Sequence, residues 1–248
     1  MRLKSVVLNC CILAIAAHLP AQSITGTIVI KRKLTKPNVT PSVSLYQRGT
    51  TIELGKDPDQ DPIAYERSRV VIYLEGPLSG AQATVDSAAL QVEQLNRRFV
   101  PDLVVVPAGS TISFPNMDPI FHNIYSLSKP KSFDLGNYDK GRTRKVTFPK
   151  PGIVEIYCHL HPNMQATVVI TPNHWFARPD RNGQYRIPQV PPGQYTLVAW
   201  HKSAGFFRKA IVIDNERDTT ADFFIPLDVD PRQEAERPRE LDHTAGSR

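Results

Sequence analysis

Cysteine is scarce in this chain, long apolar runs are missing, and charge of neither sign is concentrated anywhere. Three Cys in 248 residues are too few for a disulfide scaffold. The apolar run Val6 to Ala17 spans 12 residues and is broken by Asn9, whereas a membrane span needs about 20. A net charge of +6 without a dense basic cluster speaks against nucleic acid as the partner. Three Met leave no material for a Met-rich carrier tract. What is present is a 41% hydrophobic composition, which excludes a disordered chain. There are also 22 Pro against 13 Gly, which favours short strands and turns over long helices.

The start of the chain has the pattern of a secretory signal peptide: Arg2 and Lys4, then the apolar run, then Leu19-Pro20-Ala21. Residues 1–21 are assigned to it, with cleavage after Ala21 and export to the periplasm or exterior. An uncleaved anchor is the alternative. Cys10 lacks the small residues of a lipobox before it. Removing 1–21 takes away Arg2, Lys4, Cys10 and Cys11, which lowers the charge to +4 and leaves Cys158 as the one cysteine. A lone thiol in an oxidising compartment is a liability unless something occupies it.

The remainder reads as almost entirely β. Runs at Leu103 to Val106, Thr111 to Phe114, Arg144 to Phe148, Ile153 to Tyr157 and Ala166 to Ile170 recur at strand-and-turn spacing. Further runs follow at Tyr185 to Ile187, Tyr195 to Trp200, Lys209 to Ile213 and Ala221 to Ile225. Ser87 to Arg98 fits a helix or a strand and turn, and Lys31 to Arg69 reads as a polar loop. Residues 228–248 lack apolar periodicity and read as a solvated tail. The fold class is all-β, a sandwich.

Cys158 ends the strand Ile153 to Tyr157, and His159-Leu160-His161-Pro162-Asn163-Met164 follows before the next strand. One tight loop therefore carries a thiol, an imidazole and a thioether. Upstream, Phe121-His122-Asn123 opens a strand after the turn-rich Pro115-Asn116-Met117-Asp118-Pro119. Two His, one Cys and one Met form the ligand set of a trigonal blue-copper site with a weak axial Met. Taken singly, a lone Cys is most often a small buried hydrophobe, Met164 core filler and His161 a surface imidazole. Jointly, chance would have to gather all three in one loop and supply the upstream His-Asn.

These residues resemble the cupredoxins. The matching stretches are Val106 to Asn116, Phe121-His-Asn-Ile124, Pro151-Gly152 and Tyr157-Cys-His-Leu-His-Pro-Asn-Met164. The short ligand loop is most similar to that of amicyanin. The resemblance implies a Greek-key cupredoxin over 81–172 and one mononuclear type I copper. His122, Cys158 and His161 would be its strong ligands and Met164 its axial one. It also implies that Asn123 braces the ligand loop. One cysteine excludes a binuclear centre, and the single His-x-His pair excludes a trinuclear cluster. A structural zinc site is disfavoured by Met. His159 then reads as a solvent-facing loop residue, and Met117, the competing axial candidate, as loop packing.

Trp175 to Tyr185 reads as a strand, a turn at Asn182-Gly183 and a strand, and Pro191-Pro-Gly-Gln-Tyr-Thr-Leu197 leads into another. This resembles the carboxypeptidase-regulatory-like or transthyretin-like sandwich. Ser23 to Val29 and Val70 to Leu74 are similar to its first strands. The expected sandwich is therefore discontinuous, 22–80 with 173–227, and the cupredoxin is inserted between its parts. A separate C-terminal domain is the alternative.

The expected function is electron transfer in the periplasm or outside the cell, not catalysis, because such a copper has no open coordination position. Copper carriage is the second reading. Partner or glycan binding by the sandwich, through Trp175, Phe176 or Trp200, is the third. A transient redox partner is expected at the His161 end, where Leu160, Pro162, Pro119 and Met117 could form an apolar patch. A scattered +4 predicts mild salt dependence.

Overall fold

The computed structural model describes residues 22–35, 61–76, 90–214 and 217–226. The signal-peptide and tail assignments lie outside the described residues. Among the described residues no helix is long and apolar enough to cross a membrane. The elements in chain order are β1 (Gln22–Ile30), α1 (Pro62–Ser68), β2 (Val70–Glu75), β3 (Glu93–Leu95), β4 (Arg98–Val100) and β5 (Leu103–Pro107). Next come β6 (Ser110–Pro115), β7 (His122–Ser126), β8 (Phe133–Tyr138), β9 (Thr143–Phe148), β10 (Gly152–Tyr157) and β11 (Gln165–Thr171). The chain closes with β12 (Phe176–Ala177), β13 (Gln184–Val190), β14 (Gly193–His201), β15 (Gly205–Ile213), β16 (Thr219–Thr220) and β17 (Phe223–Ile225). Among the described residues the fold is all-β with one short helix.

The sheets stack in four layers. In the first, β1 pairs with β13, β16 and β17, and the second runs β12-β2-β14-β15. The third runs β5-β11-β10-β7-β8, and the fourth is β6-β9, to which the β3–β4 hairpin is joined by bridges Gln91 to Ser113 and Gln94 to Asn116. Each gap holds its own apolar cluster. Ile24, Ile28 and Ile187 meet Ile72, Leu74 and Leu197 in the first gap. Val71, Tyr73, Val198 and Trp200 meet Leu103 and Val169 in the second. Val106, Val154, Ile156 and Val168 meet Ile112, Phe114, Val146 and Phe148 in the third.

This layering explains the sequence pattern. Strand side chains alternate between faces, so in β2 Val70, Ile72 and Leu74 enter the first gap while Val71 and Tyr73 enter the second. A strand buried on both faces reads as a continuous apolar run, which is what VVIYL is. In β9, with one wet face, only Val146 and Phe148 are buried. β1 pairs antiparallel with β13, and β2 with β14, so N-terminal strands complete both C-terminal sheets. The strands flanking the Asn182-Gly183 turn do not pair with each other: β12 joins β2 and β13 joins β1.

The structure departs from a fully looped 31–69 segment and decides between helix and strand for the described part of Ser87 to Arg98. The stretch Lys31 to Arg69 is not loop throughout, because α1 occupies Pro62–Ser68. Asp61 accepts the Ile63 N–H at 2.9 Å as N-cap, and Pro62 sits at the first helical position, where no N–H is needed. Within Ser87 to Arg98 the described part is strand and turn, since Val92 and Gln94 are both buried with period two.

α1 also supplies a buried lock. Glu66 and His201 have side chains that are 0% exposed, with Nε2 and Oε2 3.1 Å apart. Glu66 also accepts the N–H groups of Leu34 and Thr35 at 2.9 and 2.8 Å and the Thr35 hydroxyl at 2.8 Å. The His201 Nδ1 accepts the N–H groups of Ser203 and Ala204, each at 3.1 Å, which leaves the ring proton on Nε2 for Glu66. Burial holds His201 below its ordinary value of 6.5, against the pull of Glu66. Burial pushes Glu66 up, but its hydrogen bonds outweigh that and leave it below 4.5.

Both folded values lie below the unfolded ones, so the native state binds fewer protons and loses stability on acidification. Melting temperature should start to fall as pH drops below 6.5, with a further fall below 4.5 as Glu66 is reached. A flat profile across both values would contradict the lock. For the second gap, Trp200→Ala should destabilise by about 3–5 kcal/mol, measured by chemical denaturation. A loss under about 1 kcal/mol would show that this gap is weakly packed.

Candidate metal centre

Three strands deliver the site. His122 is the first residue of β7, Cys158 directly follows β10, and Met164 directly precedes β11. Pairing of Tyr157 with Tyr125 sets β10 beside β7. The loop from Cys158 to Met164 is closed by two backbone bonds: Cys158 N–H donates to the Met164 carbonyl at 3.2 Å, and Met164 N–H to the His161 carbonyl at 2.8 Å. Cys158 is a free thiol, buried with Met164 in the third-gap cluster.

The ligand atoms of His122, Cys158 and His161 all lie within 4.8 Å of one another. His122 Nδ1 and His161 Nδ1 are 3.1 Å apart, and Cys158 Sγ is 3.7 Å from His161 Nδ1. Donors sharing one ion at bonds of about 2.0 Å to nitrogen and 2.3 Å to sulfur stand roughly 3.3–3.6 Å from each other in tetrahedral array. The observed separations bracket that range, so the residues fit a metal ion held by two imidazoles and a thiolate. Thiolate and thioether donors are soft and favour copper, and Met164 is buried in the same cluster as Cys158. Met117 is half exposed, with its N–H bonded to the Gln94 carbonyl at 2.9 Å.

The site's polar support centres on Asp118, which is 4% exposed. His122 Nε2 lies 2.7 Å from Asp118 Oδ2. The same carboxylate accepts the N–H groups of Asn96 and Arg97 at 2.7 and 2.8 Å. Burial pushes the Asp118 carboxyl up, but these hydrogen bonds, with His122 among them, leave it below its ordinary value. An ionised acceptor puts the ring proton on Nε2 and turns the Nδ1 lone pair toward Cys158 and His161.

Asn96 and Arg97 form the two-residue β3–β4 turn with φ of 53° and 56°, a conformation unfavourable without glycine. Asp118 holds both of their N–H groups. Buried Asn116 fastens the same loop. It accepts the Asp118 N–H at 2.9 Å and donates to the carbonyls of Ile120 and Tyr138 at 2.9 and 3.0 Å. Burial foremost keeps His161 below the usual imidazole value, which favours the neutral, ligating form.

On the other side, Asn123 Oδ1 accepts the His159 N–H at 3.2 Å, and its Nδ2 donates to Asp134 Oδ1 at 2.7 Å. His159 points away from the donor cluster. Its ring stacks on Tyr125 at 3.8 Å between centroids and 4° between planes, with Nε2 3.8 Å from Asp134 Oδ2. Sequence reading singled out the donors but overlooked Asp118, Asn116 and Tyr125. The available signal was an acid four residues before His122.

No protein-family model matches the chain, and no curated protein matches it. Solved structures are similar to part of it. A methionine-to-alanine variant of amicyanin in the Cu(I) form is 20% identical over 40% of this chain and 97% of that one, with a TM-score of 0.32. A purple cupredoxin from Nitrosopumilus maritimus is 22% identical over 33% of this chain and 98% of its own, at 0.30. A copper-containing nitrite reductase from Thermus scotoductus is 22% identical over 38% of this chain and 25% of its own, at 0.33.

Asp118→Ala should weaken metal binding about 10- to 100-fold, read by competition with a chelator of known affinity. Asp118→Asn keeps one acceptor oxygen and should fall between that variant and the parent. Parental affinity in both variants would show that His122 is oriented by packing alone.

Proposed function

We propose that this chain is an exported type I copper protein of cupredoxin kind that carries electrons and is not an enzyme. The observation that carries the reading is the convergence of His122 Nδ1, Cys158 Sγ and His161 Nδ1 beside a fully buried Met164. Bound there, copper supplies a one-electron couple between Cu(I) and Cu(II). His122, Cys158 and His161 would hold it strongly and Met164 more weakly, which would leave no open position for a substrate.

The chain's own contribution is rigidity. His122 sits on a paired strand, Cys158 and Met164 bracket a loop closed by backbone bonds, and Asp118 fixes the His122 ring. Donors that do not move between oxidation states keep reorganisation small. Export is supported by the Arg2, Lys4 and Val6 to Ala17 pattern. The pairing of β1 and β2 with β13 and β14 supports a carboxypeptidase-regulatory-like sandwich of 22–80 and 173–227 with 81–172 inserted. A transient redox protein docks at the His161 end.

Visible absorption of the purified protein with added Cu(II) tests the assignment. An intense thiolate charge-transfer band should appear, and Cys158→Ser should abolish it. Met164→Leu should keep copper with a changed potential, because the axial bond is weak. A Cys158→Ser protein that stays blue would overturn the ligand set.

A further inference from the structure

We propose that the His161 end is an apolar face edged by arginines, and that it receives an acidic redox protein. The inference rests on the electron-transfer reading and adds the chemistry of the partner. Met117, Phe121 and Leu160 are 46%, 59% and 50% exposed. They belong to the two loops that carry His122 and His161, whose rings stand 4.8 Å apart. Large apolar side chains left exposed together mark an interaction site.

Cations flank this face. Beside Phe121 opens a depression of about 460 Å³ lined also by Tyr138, Asp139, Arg142 and Arg144. Arg144 lies 5.9 Å over the Tyr138 ring, which holds its guanidinium at the rim. Arg142 is 3.7 Å from Asp139, with both side chains well exposed at 76% and 60%, so their pairing contributes little. Arg97, exposed in the β3–β4 turn, is near enough for its charge to bear on His161.

Of the nearby acids Asp139 stands beside Arg142 and offsets one of the three cations, and the other two acids are engaged elsewhere. Asp118 is buried against His122 and two backbone N–H groups. Asp134 is bonded to Asn123 and lies beside His159. A small total charge therefore conceals a local excess of positive charge where the electron leaves. The complement of such a face is a carboxylate-rich surface, which raises the encounter rate without requiring a large interface.

The test begins with the copper-loaded protein, whose visible band reports loading. Oxidation of the reduced protein by hexacyanoferrate(III), an anion, and by tris(phenanthroline)cobalt(III), a cation, is followed by stopped flow as ionic strength rises. The anionic reagent should slow about tenfold between roughly 0.01 and 0.3 M salt, and the cationic one should not. Arg142→Glu with Arg144→Glu should reverse that contrast while the band stays unchanged. Equal salt dependence for the two reagents, or an unaltered contrast in the double variant, would overturn the proposal.

A second arm is independent of copper. Amide shifts of the metal-free protein are recorded on titration with poly-glutamate and, separately, with a DNA duplex. Shifts from poly-glutamate confined to Phe121, Leu160, Arg142 and Arg144 are expected. Shifts centred on another basic face, or tighter binding of the duplex, would overturn the acidic-protein assignment. Absence of a blue band in the first arm would count against copper alone, and this second arm would still decide the docking face.

Discussion

Burial of the central strands of the two middle sheets on both faces is the constraint from which the rest of the structure follows. A strand with no wet face must sort alternate side chains into different cores, and β11 does this at the junction. Its Ala166, Val168 and Ile170 close the core that holds Cys158 and Met164, while Val169 lies against the cluster containing Trp200. The polar members of the strand are also satisfied. Thr167 Oγ1 donates to Glu155 and accepts from Lys202 Nζ at 2.7 Å, and Thr171 Oγ1 donates to the Asn173 carbonyl at 2.7 Å. The ligand loop hangs from this strand, so the position of the donors is set by packing that runs through the whole stack.

Two buried carboxylates in different parts of the fold work alike. A buried charge is unfavourable unless it is paired and its acceptor capacity filled. Glu66 meets that condition with Leu34, Thr35 and His201, and Asp118 meets it with Asn96, Arg97 and His122. Each acid joins segments distant in sequence through a histidine and a pair of backbone N–H groups. At Glu66 the product is a sealed seam. At Asp118 the histidine's other nitrogen faces two further donors, and the same device becomes part of the candidate metal centre.

The donors were legible in the sequence because their chemistry is rare. One cysteine, with His161 and Met164 three and six residues on, cannot be mistaken for periodic core. The strands were legible where one face is wet, as at Val146 and Phe148. The stacking of β2 and β14 on β11 was not, because a continuous apolar run states that both faces are buried without saying what covers each. The α1 signal, Asp61 followed by Pro62, was present but short, and a polar setting obscured it. Asp118 escaped because an aspartate between a methionine and a proline in a turn-rich stretch carries no sign of burial. Only the fold brings Asn96 and Arg97 to it.

The ligand loop must also satisfy two opposed requirements. Soft donors and a low-dielectric surround call for burial, which Cys158 at 3% and Met164 at 0% exposure meet. An electron that leaves by way of the protein needs one donor close to solvent. His161 is the member of the set that is only partly buried, and the residues on either side of it, Leu160 and Pro162, are exposed. The five residues between Cys158 and Met164 rise to the surface and return. The two backbone bonds, from Cys158 to Met164 and from Met164 to His161, keep the excursion rigid. The loop thus brings His161 toward solvent, while Asp118, by fixing its ring, keeps His122 inside.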